Sequence, residues 1–292
     1  MSVFIASIGF GLVTAAVLAL ASVGFTLQFA VTNVLNLAYG GVMIVAAYAA
    51  YALNNAGVNI WIATLAAIAT GAVASVFLNN VVYTPFKRRG ASPIALVIVS
   101  LGMTLILEFG TQALAGPTNV SYAMSQGATV KLGSIELTVV QLVIIALSLV
   151  VMVLVHGLIR YSRLGKAMRA TAQDPEAARM MGVEVDKVIL TAFFLGSALA
   201  GAGGMIFGLY YNFTSFIIGF TAGLRAFTAA VLGGIGNVPG AMLGGVLIGL
   251  IEAFGGQLIG ASWADVIIFS ILVLVLVFKP SGLLGRLAPT KS

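Results

Sequence analysis

Long apolar runs follow one another along this chain with little charge between them, and no other feature restricts its fold as much. They lie at 4–23, 38–54, 58–84, 93–115, 137–159, 188–211, 224–236, 240–256 and 263–279, with 224–236 short and 24–37 semi-polar. A helix needs about 20 such residues to cross roughly 30 Å of hydrocarbon. Only 8% of the residues are charged and mean hydropathy is +1.14, where soluble domains carry about 25% charge. The pattern predicts an all-α, polytopic integral membrane protein of about eight or nine transmembrane helices. It forms one transmembrane domain over 1–292, without space for a sizeable soluble one. The N-terminus lacks the basic start of a cleaved signal, so 4–23 is expected to stay as the first span. Cysteine is absent, which removes disulfides, thiolate metal sites and a cysteine nucleophile.

Twelve of the 14 basic residues sit in three places. Lys87, Arg88 and Arg89 form one cluster, Arg160, Arg163, Lys166, Arg169, Arg179 and Lys187 a second, and Lys279, Arg286 and Lys291 a third. The positive-inside rule makes these clusters, and the C-terminus with them, cytoplasmic, leaving Lys131 and Arg225 outside. The side of the N-terminus rests on 24–37 and stays open. Because the net charge of +6 is located at span ends, the bilayer rather than nucleic acid is the expected partner. The external segment 116–136, rich in Gly, Ser and Thr, reads as an irregular loop or small hairpin.

The segment 160–187, RYSRLGKAMRATAQDPEAARMMGVEVDK, holds 10 of the 22 charged residues. Asp174 suits a helix N-cap, Pro175 the first helical position, Glu176 the positive end of the dipole, and Gly182 a stop. The spacing predicts a short helix over 175–181 carrying Ala177, Ala178, Met180 and Met181 beside Arg179. Held at the membrane surface, such a helix invites a soluble partner. Gly165-Lys166 lacks the earlier Gly and the following Ser or Thr of a phosphate-binding loop, because Arg160 and Ala167 stand there. No ATP site is expected in the chain itself. His156 has no second ligand at helical spacing, and no nucleophile–base pair can be assembled, so neither metal nor enzyme chemistry is expected.

Two features bear on a pathway. Asn33-Val34 followed by Gly40-Gly41-Val42 recurs at the same spacing as Asn237-Val238 followed by Gly244-Gly245-Val246. Paired broken helices of this kind line the route in many transporters, which makes Asn33, Asn36, Gly40, Gly41, Asn237, Gly244 and Gly245 pathway candidates. The alternative is that these glycines serve close helix packing, as the spacing of Gly236, Gly240 and Gly244 suggests. Four ionisable residues lie within spans, Glu108, Arg225, Glu252 and Asp265. Intramembrane charge is costly and points to function or to mutual pairing, and an outer-side ion-pair network around Arg225 is expected. The span centres otherwise lack charge, so the parts of a proton relay are missing and another energy source is implied.

The whole chain resembles the permease subunits of bacterial ABC importers for branched-chain amino acids, the LivH type, in a superfamily that includes ribose-type sugar permeases. The resemblance rests on NLAYGG at 36–41, YTPFKRRG at 83–90, RLGKAMRA at 163–170, QDPEAARMMG at 173–182, AAVLGGIGNVPGAMLGG at 229–245 and KPSGLLG at 279–285. It implies an inner-membrane location and a coupling helix formed by Asp174, Pro175, Glu176, Ala177, Ala178, Arg179, Met180, Met181 and Gly182. That helix would dock into a groove of a separate ATPase subunit, with Ala178, Met180 and Met181 filling the groove and Glu176 and Arg179 fixing register. ATP-Mg would reside on the ATPase, with no cofactor on this chain. A second related permease subunit and a periplasmic substrate-binding protein complete the implied assembly. Leucine, isoleucine and valine are the first expected substrates, with urea, short amides or sugars as alternatives. A reading of another class, a secondary transporter or channel, leaves 160–187 without a task.

Overall fold

The computed structural model describes residues 2–122, 129–132 and 135–285, so Arg286 and Lys291 of the third basic cluster lie outside the described residues. Each apolar run of the sequence becomes a helix. They are α1 (Ser2–Thr32), α2 (Ala38–Asn55), α3 (Ile60–Leu78) continued by a π-helical turn (Asn79–Tyr83) and α4 (Thr84–Arg88), α5 (Pro93–Ala115) and α6 (Val139–Tyr161). Two short helices follow, α7 (Arg163–Gln173) and α8 (Pro175–Met180), then α9 (Val185–Tyr211), α10 (Ile218–Gly233), α11 (Val238–Leu258) and α12 (Ala264–Phe278). Among the described residues six stretches are long and apolar enough to span a membrane: Gly11–Thr32, Ile60–Arg88, Pro93–Ala115, Val139–Tyr161, Val185–Tyr211 and Val238–Leu258. The apolar α10 and α12 are shorter. Within 116–138 a small antiparallel hairpin forms from β1 (Thr129–Leu132) and β2 (Ile135–Thr138).

Burial separates the helices. Of the most apolar stretch of α1, 89% is buried, against 17% for α6. The large residues Leu149, Val150, Val153 and Leu154 of α6 face outward, a surface suited to lipid or to another apolar helix rather than to water. Two helices depart most from the sequence reading. The semi-polar 24–32 continues α1, because Gln28 and Thr32 spend their polar groups inside: Gln28 Nε2 donates to Ser197 Oγ at 2.6 Å, and Thr32 Oγ1 to the Gln28 carbonyl at 2.8 Å. Helix α10 starts at Ile218, six residues before the apolar run at 224. Gly219 and Gly223 weaken the apolar signal there, and both are needed because Gly40 lies against them.

The chain divides into two compact units, one of Met1–Thr26, Gly127–Met152 and Arg225–Ser292, the other of Leu27–Gln126 and Val153–Leu224. In the first, α1 and α11 meet through small residues. A Cβ added to Gly245 would stand 2.2 Å from Ala19 Cα, and one on Gly249 2.3 Å from Ala15 Cα. These small residues recur every four positions on each helix, the spacing that lets backbones touch where no hydrophobic effect drives helices together. Leu18, Ala229, Leu232, Ile248 and Ile268 form the apolar cluster of this unit. Arg225 is held by two carboxylates, Glu252 at 2.6 Å and Asp265 at 2.7 Å. The carbonyls of Leu232 and Gly233, left open where α10 ends, accept the N–H groups of Leu283 and Leu284 at 2.8 and 3.0 Å. Asn237 Nδ2 donates to the Leu284 carbonyl at 2.8 Å. Thus the glycine-rich 229–245 and 279–285 motifs are two halves of one structure, and Gly234 (φ +109°) and Gly282 (φ +73°) stack in backbone conformations that favour glycine.

In the second unit, α3 crosses α9 with Gly201 against the Ala67 carbonyl, and α2 crosses α9 with Gly204 against that of Met43. Ala46, Ala50, Ala63, Ala67, Tyr122 and Met205 are its buried cluster. Tyr122 donates to the Ala47 carbonyl at 2.9 Å, and burial raises its pKa, so the phenol remains a donor.

Three positions test the stability that this packing supplies. Gly245→Leu forces side-chain atoms into the α1 backbone and is expected to cost at least the roughly 1–3 kcal/mol of overpacking, read as a lower unfolding midpoint of the detergent-solubilised chain. Gly110→Ala, with nothing within 4 Å of its added Cβ, is expected to be neutral or to raise the midpoint, since Ala gains up to about 1 kcal/mol in a helix. Arg225→Gln leaves two carboxylates without their cation and is expected to destabilise by about 3–5 kcal/mol. Adding Glu252→Gln to it is expected to recover part of that loss in the same melting measurement.

Candidate functional site

The surface loop is built as a rigid bracket. Ser162 caps α7, its Oγ accepting from Gly165 N–H at 2.9 Å. A Cβ on Gly165 would strike the Ile159 carbonyl, so this glycine allows the turn between α6 and α7 to close and belongs to no phosphate loop. Arg169 donates to the carbonyls of Ile159 and Arg160 at the end of α6, where the dipole favours a cation. Met168 is buried in a cluster with Val31, Val188 and Ala192, which seats α7 on the ends of α1 and α9.

Helix α8 follows directly. Asp174 Oδ1 accepts from the N–H groups of Glu176 and Ala177 at 2.9 and 3.1 Å, Pro175 opens the helix, and Gly182 has φ +84°. The helix ends at Met180 with Met181 as its cap, one residue short of the 175–181 expected. Its faces are not all available. Ala178 is buried within the chain, which corrects the expectation that it fills a partner's groove. Met180 and Met181 are 83% and 85% exposed, while Arg179 is turned to Asp186 at 3.2 Å. That exposed ion pair is worth little, about 0–1 kcal/mol; exposed thioether side chains are the unusual feature.

The break at 33–37 is the second focus. Asn33 takes φ +53°, tolerable for Asn, and ends α1. The freed backbone is taken up by α5: Ser100 Oγ accepts from Leu37 N–H at 3.1 Å, and Thr104 Oγ1 donates to the Leu37 carbonyl at 2.8 Å. Asn36 is buried between two partners, donating to Gln28 Oε1 at 2.7 Å and accepting from Tyr83 OH at 2.5 Å. Tyr83 ends the π turn, whose wide bond runs from Thr84 N–H to the Asn79 carbonyl. Pro85, next along, would clash with the carbonyl of residue 81 in a regular helix, and a wider turn relieves that. The NLAYGG and YTPFKRRG motifs are therefore joined by one hydrogen bond. Beside it lies a cavity of about 490 Å³ whose lining includes Asn36, Asn79, Tyr83, Lys87, Ile189 and Phe193.

The remaining candidates separate. Gly40 and Gly41 press on Gly219 and on α5 at Thr104 and Leu107, while Gly244 and Gly245 press on Ala229 and Ala19. All four are buried against neighbouring backbone, so packing, not a pathway lining, explains them. Asn33 follows α1 whereas Asn237 immediately precedes α11, so the sequence echo does not repeat one local structure. Of the ionisable four, Arg225, Glu252 and Asp265 come together, but Glu108 accepts from Phe220 N–H at 2.5 Å, near the start of α10. Tyr83 entered the sequence reading only as the first residue of the 83–90 motif, and Gln28, Ser100 and Thr104 were not singled out by it. The signal for the last two was a polar row on an apolar helix, Ser100, Thr104 and Glu108 every fourth residue. No group of three His, Cys, Asp or Glu residues fit for a metal ion is found among the described residues.

Comparison with known proteins agrees with this architecture. The family model described as "Branched-chain amino acid transport system / permease component" matches residues 7–276. The Escherichia coli (strain K12) high-affinity branched-chain amino acid transport system permease protein LivH is 34% identical over 92% of this chain and 91% of its own length. BraD of Pseudomonas aeruginosa, named as a permease protein of the same kind of system, is 33% identical over 94% of both chains. The E. coli permease protein LivM is 27% identical over 91% of this chain and 67% of its own. No solved structure matches. With helices, motifs and a family match covering nearly its whole length, the chain belongs to the permease components of branched-chain amino acid transport systems.

Proposed function

We propose that this chain is one permease subunit of an ATP-binding-cassette importer and passes leucine, isoleucine and valine inward across a bacterial inner membrane. Its basic ends face the cytoplasm, a separate ATPase subunit docks on α8, a second related permease lies beside it, and a periplasmic binding protein delivers substrate. ATP-Mg acts on the ATPase. The family and the names of the LivH, LivM and BraD relatives support the substrate class and the pairing of two permeases.

The observation that carries the proposal is α8 itself, two exposed methionines on a helix clamped at both ends. Through Met168 and Arg169 the preceding helix is fixed to α6 and α9, and the Val183 N–H bonds to the Ala178 carbonyl at 3.0 Å. A partner that grips Met180 and Met181 pulls on spans, not on a slack loop. Methionine suits such a contact because its flexible, polarisable side chain fills irregular grooves.

The test is co-purification from native membranes. Met180→Ser with Met181→Ser is expected to keep the second permease and lose most of the ATPase, with leucine uptake in vesicles falling in parallel. Retention of the ATPase by this variant, or ATP-independent solute movement by the chain alone, would overturn the proposal.

A further inference from the structure

Beyond docking, and resting on the proposed function for the direction of transport, we infer that the cavity beside Asn36, lined in part by residues of the basic clusters, is a binding site for a free aliphatic amino acid. Its volume of about 490 Å³ falls in the roughly 300–1,000 Å³ range of small-molecule sites. Its apolar lining comes from Leu96, Ile189, Leu190 and Phe193, and the amides of Asn36, Asn79 and Asn80 also line it. The π turn brings Asn79 and Asn80 together, Asn79 Nδ2 donating to Asn80 Oδ1 at 3.2 Å, and each amide has further donor and acceptor positions to offer.

The charges in the lining are not balanced. Arg179, Lys187, Lys87 and Arg88 contribute to it, against the single acid Asp186. Asp186 is paired with Arg179, and Lys187 pairs with Glu184 at 2.7 Å. Among the described residues, Lys87 and Arg88 have no acidic partner within salt-bridge distance. The cavity thus calls for a ligand with an anionic group for Lys87 and Arg88, a branched apolar body for the Ile189 and Phe193 wall, and a polar group for the asparagines. The end of α1 at Thr32, where the helix dipole is negative, suits an ammonium.

A zwitterionic aliphatic amino acid meets all three demands. A sugar leaves the apolar wall and both cations unmatched, and an inorganic anion leaves the wall empty. The acyl chain of a phospholipid would face the Asn36 and Asn79 amides without bonding them, which is costly.

The test uses the assembled importer in nanodiscs without its binding protein, and radiolabelled leucine in equilibrium dialysis. The wild-type complex is expected to bind leucine saturably, and Lys87→Gln with Arg88→Gln to weaken that binding about tenfold or more. Ile189→Trp is expected to abolish it by filling the cavity, and both variants are checked for wild-type elution and melting. Saturable binding unchanged in the two variants would overturn the site. So would no leucine binding by a complex that, reconstituted into proteoliposomes with its binding protein, still drives ATP-dependent leucine uptake, an outcome that leaves the transport reading standing. A phospholipid that co-purifies with the wild type and is lost with the Lys87 and Arg88 substitutions, with no leucine bound, would assign the cavity to lipid and overturn the inference. Absence of any branched-chain amino acid uptake would overturn the transport reading and the site together.

Discussion

Inside hydrocarbon a backbone N–H or C=O without a partner costs several kcal/mol, and a helix is the simplest remedy. Two departures from helix among the described residues show how such groups are satisfied. The break at 33–37 is carried by Ser100 and Thr104, four residues apart on α5, which bond the backbone of Leu37. Glu108, one turn further on, accepts from Phe220 N–H near the start of α10. A single polar row on an apolar helix thus serves two irregular places. At the other break, the end of α10 is closed by the N–H groups of Leu283 and Leu284. These partners satisfy backbone groups that the interrupted helices leave open.

Close packing is the second requirement, and it explains much of the glycine. Water is absent between lipid-facing helices, so association relies on contact between backbones and on buried hydrogen bonds. Gly245 on Ala19 and Gly201 on the Ala67 carbonyl are contacts no Cβ can survive. Several buried polar side chains are joined in a row: Gln28 links Ser197 to Asn36, and Asn36 links onward to Tyr83. This buried row of hydrogen bonds ties together the end of α1, the π turn and α9.

The sequence disclosed what is local and hid what is not. Apolar runs sufficed to find the long apolar helices, because length and composition decide what crosses a bilayer, whereas α7, in the polar 160–187 segment, carries no such run and was not expected. The cap of α8 was legible because Asp174 and Pro175 act on their immediate neighbours. Ala178 looked like surface for the opposite reason: a residue of a six-residue helix turns inward or outward according to where α7 and α9 lie, which no local pattern encodes. Glu108 was grouped with Arg225 on depth alone, and its actual partner is a backbone N–H 112 positions away. The glycine echo suggested two equivalent breaks, but a Gly-Gly pair has the same letters whether its neighbours are backbone or open space, and here they are backbone. Asn36 was found for a partly wrong reason, its place near a break, while its function in the fold depends on Tyr83 and Gln28, distant or unremarkable in sequence.

Arg179 connects the two regions of interest. It belongs to α8 and also lines the cavity, where its ion pair with Asp186 ties α8 to the first turn of α9. Any partner that moves α8 relative to α4 alters the distance of Arg179 and Asp186 from Lys87 and Arg88, and with it the field at the cavity mouth. A negative ligand group experiences that field directly. If the two positions of α8 differ in affinity for such a ligand, linkage requires the ligand to change the partner's hold on α8 by the same factor. The pair is exposed and worth little as a stabilising contact, whereas Met168, Arg169 and the Asn36 network hold the neighbouring helix ends together through buried packing and hydrogen bonds.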